Sequence, residues 1–397
     1  MVKTSQHGRN TGAGSQGQEM GRVFIKYALV VVVTVVAVVA IRGWWVTTSK
    51  ALWREREEDA VLREAAIRAL GPLEANDPQL LRLLRERYLA PPSPGPPNLM
   101  LDRSGAEAEK YNIYRVGFSS WIRTNKHLIT LFSDASPGFF LEAGALDGEF
   151  ISNTLYLERD LGWTGLLVEA DNTLYSALTG KRRRAWSSHA CLALTPYPQE
   201  FVFHGYFADA AASVGTQLLV RSTGNLAGVQ APAAGRMGQR HKQVVQCFPL
   251  LSFLLAVNTT SLQYVSLDVE GAEADILINL PWEEVDVAVW SIEHRLGTNA
   301  FKNLYEHTPA PPEASSSRAG AEKGLSRPPH TSPPRVKTVT KVVYVGQQDP
   351  RQGKDPYFVR FMVERGYVLY DYWDGDYTFI KRNSSLCKKH CPPHLVP

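Results

Sequence analysis

The stretch that decides the fold reads FFLEAGALDGEF at residues 139–150. A short apolar run leads into a turn with two glycines, and Ser152-Asn153-Thr154 follows where a helix is predicted to begin. In an open α/β sheet, a glycine turn after the first strand lets a ligand approach the backbone at the switch point. Because the full G-x-G-x-x-G pattern is missing, the stretch alone does not indicate a dinucleotide.

Apolar runs alternate with helical stretches on both sides of this turn. Strands are predicted at 138–142, 165–169, 188–194, 264–268 and 287–293. A helix is predicted at 119–132, and a second helix at 355–364 leads into a hairpin of strands at 367–373 and 377–381. This alternation predicts an α/β fold, a doubly wound parallel sheet covered on both faces with an antiparallel hairpin at its C-terminal end.

Acidic residues follow several of the predicted strands. Glu169 ends the second strand about twenty residues after the glycine turn, where a carboxylate can accept hydrogen bonds from both ribose hydroxyls. Asp268 and Glu270 follow the fourth strand and are expected at the same edge of the sheet. A carboxylate can also favour a helix dipole, which suits Glu273. The glycine turn and these carboxylates together predict a nucleoside-binding edge.

Three motifs, FLEAGALDGEFISNT, GLLVEAD and SLDVEGAE, resemble the FkbM-type methyltransferase domain. The form E-x-G-A-x-D-G-x-x-x-S-N-T is similar to the Star branch of that family, which joins the domain to a single membrane span. The resemblance covers about residues 110–300 and resumes at about 355–382. It implies a class I, Rossmann-like fold with S-adenosylmethionine as cofactor. The cofactor-binding residues it implies are Glu142, Gly144, Gly148, Asn153, Thr154, Glu169, Asp171, Asp268 and Glu270.

Methyl transfer to a hydroxyl needs a base, because a protonated alcohol is a poor nucleophile. The candidate catalytic residues are Asp147, Asp268, Glu293 and His294, and no metal ligands are predicted. His294 can instead serve to cap a strand end.

Two functions follow from the resemblance. The Star branch implies a membrane protein of the secretory pathway that binds protein cargo such as growth-factor precursors and aids its trafficking. The alternative is an active O-methyltransferase acting on a glycan or a lipid-linked hydroxyl. Active FkbM-type enzymes usually carry Asp in place of Glu142 and Asn in place of Leu146, which favours the trafficking role.

Residues 23–41 form an apolar run of nineteen positions whose one charge is Lys26. A helix of that length crosses a hydrocarbon core of about 30 Å. A cleaved signal peptide is the alternative, but Arg42-Gly43-Trp44-Trp45 follows instead of a small-residue cleavage site. The run therefore predicts a single transmembrane helix.

Basic residues are balanced on the two sides of this predicted span, so they do not orient it. Sequons at Asn258 and Asn383 favour a lumenal, glycosylated body. We expect a type II single-pass protein of endoplasmic reticulum, Golgi and endosomal membranes, with the plasma membrane as a further location.

The rest of the chain is predicted to be organised around one folded domain. The expected segments are an N-terminal tail at 1–22, a helical stalk at 42–90, a Pro-rich linker at 91–109, the domain at 110–382 and a C-terminal tail at 383–397. A stretch at about 306–336, rich in proline and serine, is expected to be a disordered insertion. The stalk can alternatively form a dimer seam, and the insertion can carry a proline-rich partner motif.

Composition and cysteine content limit the classes of partner. The 397 residues carry a net charge of +4, too small to indicate nucleic-acid binding by bulk charge. The basic run at 181–184 is typical of a solvated turn, although it can also contact phosphate. Cys387 and Cys391 can bind a metal or form a disulfide, Cys191 is expected to be a buried apolar residue, and Cys247 is undecided.

Overall fold

The computed structural model describes residue 27 and residues 31–45, 72–105, 118–209, 212, 214–229, 239–294, 299–306 and 353–392. The chain divides into two units, Met1–Ala69 and Leu70–Pro397. In the first unit, residues 31–45 form a helix whose side chains are exposed. Within the described part of the chain, we find no helix with both the length and the hydropathy of a membrane span. The segment predicted to cross the membrane is only partly described, and residues 46–71 of the predicted stalk lie outside the described residues.

The second unit is built on an eight-stranded sheet with the order β1-β4-β3-β2-β9-β10-β12-β11. Its strands are β1 Leu89–Ala90, β2 Phe139–Ala143, β3 Thr164–Glu169, β4 Trp186–His189, β9 Ser261–Leu267, β10 Asp286–Glu293, β11 Tyr367–Trp373 and β12 Asp376–Lys381. The five central strands are parallel, whereas β1, β12 and β11 each pair antiparallel with their neighbours. This mixed α/β architecture fits a methyltransferase-like fold and confirms the predicted parallel sheet with its C-terminal hairpin.

Helices cover both faces of the sheet. They are α1 Pro78–Leu83, α2 Ser119–Phe132, α3 Leu155–Leu161, α4 Asn172–Lys181, α5 Val214–Ser222, α6 Leu250–Ala256, α7 Glu273–Ile278, α8 Ala300–Glu306, α9 Pro356–Glu364 and α10 Ser385–His390. Three of them begin at aspartate caps, and the first is Asp77 before α1. Asp171 accepts from the amides of Thr173 and Leu174 at the start of α4, and Asp355 caps α9 in the same way.

The hydrophobic core lies in two layers, one on each face of the sheet. Leu141 of β2 packs in the layer that contains α1, α6, α7 and α9, whereas the adjacent Phe140 packs in the layer that contains α2, α3 and α10. In β3, Leu166 packs in the same layer as Leu141, and Leu167 packs in the same layer as Phe140. Because successive side chains of a strand point to opposite faces, a strand that is apolar throughout fills both layers.

The domain begins well before the predicted boundary at residue 110. Leu80, Leu84 and Leu89 are buried in the core, and β1 pairs with β4 at the edge of the sheet. Within the predicted linker, the amide of Ser93 donates to the carbonyl of Arg183 at 3.1 Å. Residues 72–105 are therefore part of the domain, because several of their leucines are buried and the backbone of the proline-rich stretch is hydrogen-bonded.

A second sheet has the order β5-β8-β6-β7 and was not predicted. Its strands are β5 Cys191–Leu192, β6 Gln199–Phe207, β7 Asn225–Leu226 and β8 Gln239–Phe248. The strand predicted at 188–194 is wrong as a single element, because the chain bends at Ala190 and divides it between the two sheets. A disulfide joins Cys191 to Cys247, so Cys191 is both buried and bonded.

The C-terminal tail also belongs to the domain as far as residue 392. It forms α10, and a disulfide joins Cys387 to Cys391. Both cysteines are buried in the core layer that contains α2. The predicted disordered insertion lies outside the described residues, apart from residue 306 at the end of α8.

Candidate functional site

A cavity of about 420 Å³ opens at the carboxyl ends of the parallel strands. It lies where the strand order reverses, since the chain runs from β2 outward through β3 to β4 and then returns to β9 on the other side of β2. This is the switch point at which open α/β sheets bind their ligands. The volume is in the range of about 300–1,000 Å³ that is typical of small-molecule sites.

The loop after β2 is held to β9 by close backbone contact. The amide of Asp268 donates to the carbonyl of Ala143 at 3.1 Å. Gly144 has a positive φ of 83°, and a Cβ atom at this position would lie 1.9 Å from the carbonyl oxygen of Asp268. Only glycine fits, because any side chain would force the two strand ends apart.

Glu142 organises the beginning of the segment that leads into α3. Its carboxylate accepts hydrogen bonds from the Ser152 hydroxyl at 2.8 Å, from the Asn153 amide at 2.7 Å and from the Thr154 hydroxyl. Burial raises the pKa of Glu142, although Arg183 and these donors oppose the shift. The glutamate at the start of the motif E-x-G-A-x-D-G-x-x-x-S-N-T therefore contacts the S-N-T at its end directly.

Glu169 lies at the end of β3, with 4% of its surface exposed, and lines the cavity. Its two carboxylate oxygens accept hydrogen bonds from the backbone amides of Leu146 and Asp171, at 2.8 and 2.7 Å. Burial raises the pKa of Glu169 to about 8, and the nearby Asp171 carboxylate adds to the rise. The residue is fixed at the predicted nucleoside edge.

Carboxylates dominate the part of the cavity near β9 and β10. One oxygen each from Asp268, Glu270 and Glu293 lie within 4.8 Å of one another, and Asp374 and Asp376 of the C-terminal hairpin also line the cavity. Burial raises the pKa of Asp268 well above its ordinary value, and the neighbouring Glu293 and Glu270 raise it further. Although no metal ligands are predicted from the sequence, three carboxylates in this arrangement can hold a divalent cation.

The structure brings most of the predicted cofactor-binding residues to this cavity. Those that line it are Glu142, Gly144, Asn153, Glu169, Asp268 and Glu270, together with the catalytic candidate Glu293. The described lining does not include Asp147, Gly148, Thr154, Asp171 or His294.

Each of the residues outside the lining has a structural contact. Asp147 accepts from the amides of Glu149 and Phe150 and lies 3.1 Å from the Lys181 ammonium. Asp171 caps α4. His294 is 2% exposed, and its Nε2 atom lies 3.0 Å from a carboxylate oxygen of Asp355.

Several residues that line the cavity were not predicted. Phe118, Trp121 and Thr124 come from the beginning of α2, where the aromatic residues gave no signal beyond an amphipathic helix. A second group comes from the unpredicted sheet and from α5; it includes Cys191, Phe203, Tyr206, Arg221 and Asn225. Asp374 lies in the turn of the predicted hairpin, where an aspartate indicates a turn and not a binding site.

The two predicted glycosylation sites are both exposed. Asn258 precedes β9, at the end of the strand opposite the cavity, and has a positive φ of 59°. Asn383 lies between β12 and α10. Neither position obstructs the cavity.

Comparison with models of protein families matched part of the chain. No curated protein and no solved structure matches the chain. A family model matches residues 142–315, which contain the glycine loop, Glu169 and the carboxylates after β9. The predicted resemblance is thereby confirmed at the level of the domain: residues 142–315 are similar to the Methyltransferase FkbM domain family.

Proposed function

We propose that this protein is an S-adenosylmethionine-dependent O-methyltransferase whose cavity at the sheet edge binds the cofactor and an acceptor hydroxyl. The observation that carries the proposal is the continuous cavity between Glu169 and the carboxylates after β9. A protein that kept the fold only for binding cargo would have no need to keep this cavity open. The match to the FkbM domain family supports the choice of cofactor.

The residues in the cavity fit S-adenosylmethionine. Among the residues that the structure describes, nothing hydrogen-bonds to the buried Oδ1 atom of Asn153, and Asn153 lines the cavity. An ammonium group, such as that of the methionine part, is a donor suited to this atom. Glu169 would accept from the ribose hydroxyls, and Gly144 lets the backbone approach the ligand. When bound, the cofactor supplies an electrophilic methyl group on a positively charged sulfur.

The carboxylates after β9 and β10 provide the base that the reaction needs. In its ionised form, a carboxylate oxygen of Asp268 would accept the proton of the acceptor hydroxyl while the hydroxyl oxygen takes the methyl group. Glu293, which also lines the cavity, is the second candidate for this role. Phe118, which precedes α2, and Trp121 in its first turn also line the cavity.

Binding of the cofactor is the direct test of the proposal. Isothermal titration calorimetry with S-adenosylmethionine should show one site on the purified protein. Glu169→Ala should remove it, whereas Asn98→Ala, an exposed residue outside the cavity lining, should not. Absence of binding at millimolar cofactor would overturn the proposal.

Turnover is the second part of the test. With methyl-labelled S-adenosylmethionine and glycan or lipid extracts as acceptors, Asp268→Asn should lower label transfer about a hundredfold or more and leave cofactor affinity within a few-fold of normal. Loss of affinity with unchanged turnover at saturating cofactor would rule out Asp268 as the base.

We further propose that the body lies in the secretory pathway, held by a single membrane helix. Pairing of all four cysteines in disulfides supports an oxidising compartment, since disulfides rarely persist in the cytosol. The exposed positions of Asn258 and Asn383 are compatible with glycosylation. Endoglycosidase treatment should reduce the apparent mass of the native protein, and a double Asn→Gln variant should not respond. An unchanged mass in the unmutated protein would contradict this location.

A trafficking role for membrane-bound cargo, as in the Star branch, is the second candidate function. The exposed valine and tryptophan side chains of the helix at 31–45 support membrane attachment, which both functions use. The two functions can be distinguished by measuring the export of a growth-factor precursor from cells that lack the protein. Rescue by Glu169→Ala would show a trafficking role that needs no cofactor, whereas normal export without the protein would exclude that role.

A further inference from the structure

The cavity continues past Glu169 to the second sheet. There it is lined by Ala190, Cys191 and Leu192 after β4, by Phe203 and Tyr206 of β6, and by Asn225 and Leu226 of β7. Most of these side chains are apolar and buried. A flat, apolar ligand group with a few polar atoms suits this end of the cavity.

Charge decides which half of the cofactor enters this end. The carboxylates of Asp268, Glu270 and Glu293 lie at the other end, beyond Glu169. The positively charged sulfur and ammonium of the methionine part favour those carboxylates by Coulomb attraction. With the ribose at Glu169, the purine base is directed to the second sheet. This step rests on the proposed function.

Asn225 presents a polar atom to this apolar end. The residue is 5% exposed and lies in β7, where it pairs with His204 of β6. Its side-chain Nδ2 atom donates to the carbonyl of Leu226 at 3.2 Å, which fixes the amide group. Among the described residues, no donor hydrogen-bonds to its Oδ1 atom. An amide oxygen in such a position can accept a hydrogen bond from a ligand.

Its neighbours at this end are less suited to that task. Arg221 has only donors, and its Nη1 atom is 3.3 Å from a carboxylate oxygen of Asp171. The hydroxyls of Ser222 and Thr223 donate to the backbone carbonyls of Leu219 and Val220. Both hydroxyl oxygens keep lone pairs that can accept, but Ser222 and Thr223 are only half-buried, whereas Asn225 is 5% exposed. A base that offers an N–H donor would therefore find a buried acceptor in the amide oxygen of Asn225.

We propose that Asn225 determines the specificity of the cavity for the nucleobase, by accepting a hydrogen bond from the exocyclic amino group of adenine. Hypoxanthine carries an oxygen in place of that amino group. This oxygen and the amide oxygen of Asn225 are both acceptors, so no hydrogen bond could form between them. A site that binds a donor rejects an analogue that lacks it, because its buried acceptor is left unpaired.

Calorimetric titration with S-adenosyl-L-homocysteine and with its deaminated analogue, S-inosyl-L-homocysteine, tests this assignment on the full chain. The unmutated protein should bind the adenosyl compound about tenfold or more tightly than the inosyl compound. Asn225→Leu should reduce this preference to within about twofold. Asn225→Asp keeps an acceptor oxygen and should retain the preference, and Asn98→Ala is the control outside the cavity.

The outcomes separate this inference from the proposed function. If the unmutated protein binds neither compound, both fail. If it binds the two compounds equally well, or if folded Asn225→Leu keeps the full preference, cofactor binding stands and the role of Asn225 is overturned. Should Asn225→Leu fail to fold, as judged by circular dichroism, loss of the preference in Asn225→Asp would equally overturn it.

Discussion

The backbone amide of Leu146 donates a hydrogen bond of 2.8 Å to the Oε2 atom of Glu169. Leu146 adopts a positive φ of 51°, so its amide points back toward the end of β3. This bond connects the glycine loop of the first strand to the acidic residue of the second. The two parts of the predicted nucleoside edge are thus held together before any ligand binds.

Cofactor affinity should depend on pH through Glu169. Burial raises the pKa of Glu169 to about 8, so the carboxyl group is largely protonated at neutral pH. Ribose hydroxyls donate best to the ionised form, and binding should therefore release a proton. Affinity for S-adenosyl-L-homocysteine should rise between about pH 6 and about pH 8 and level off above that. Calorimetry in buffers of different ionisation enthalpy measures the proton release, and Glu169→Gln should remove it. Uptake of a proton on binding would contradict this prediction.

Two buried glutamates should make the unliganded protein less stable as pH rises. Burial raises the pKa of Glu169 to about 8 and that of Glu273 to about 7, from an ordinary value of 4.5. The native state therefore holds these protons more tightly than the unfolded chain, and this contribution is full below pH 4.5 and is lost as pH rises through 7 to 8. The urea midpoint should fall over that range. Glu273→Gln should flatten the fall, and an unchanged slope would show that Glu273 is already ionised.

Gly144→Ala should disrupt the switch point. Its Cβ atom would lie 1.9 Å from the carbonyl oxygen of Asp268, and the φ of 83° disfavours a side chain. We expect a loss of about 3 kcal/mol or more in the free energy of unfolding, and loss of cofactor binding. The matched control is Gly180→Ala in α4, where nothing lies within 4 Å and alanine favours the helix. Urea denaturation measures the free energy of unfolding of both variants. Equal stability would contradict the close contact between position 144 and the carbonyl of Asp268.

The two disulfides should differ in their effect on binding. Cys191 lines the cavity and is bonded to Cys247, at a separation of 56 residues, whereas the Cys387–Cys391 bond closes a separation of only 4. Replacing the first pair by serines should cost about 2–4 kcal/mol of stability and weaken cofactor binding. Replacing the second pair should leave affinity unchanged. Calorimetry on both double variants measures the cofactor affinity. Equal affinities would show that the Cys191–Cys247 disulfide does not support cofactor binding.

The main sheet could be predicted because its strands carry their own signals. Val168 and Leu167 belong to a run that is apolar on both faces, and the glycines around it mark its ends. The second sheet gave no such signal. In β8, exposed and buried residues alternate only in part, and its partner β6 lies about thirty residues earlier in the chain. Pairing between such distant strands depends on tertiary contacts that periodicity does not contain.

The site was predictable to the extent that its residues follow strands. Glu169 and Asp268 end parallel strands, and topology alone brings such ends to one edge. Asp147 and His294 also lie near strand ends, but they do not line the cavity: Asp147 accepts from the Glu149 amide, and His294 contacts Asp355. Asn225 belongs to a two-residue strand of the second sheet, so nothing in its sequence neighbourhood indicated a binding role.

The short strand β1 protects the sheet. Leu89 and Ala90 pair with Ser188 and Ser187 and cover the outer edge of β4. An uncovered edge strand offers free amides and carbonyls to any other extended chain. A protein that begins at residue 110 would keep every motif of the cavity but would expose this edge of the sheet. We expect such a protein to self-associate. The proline-rich stretch that follows β1 helps to prevent it, because proline has no amide to donate to an added strand.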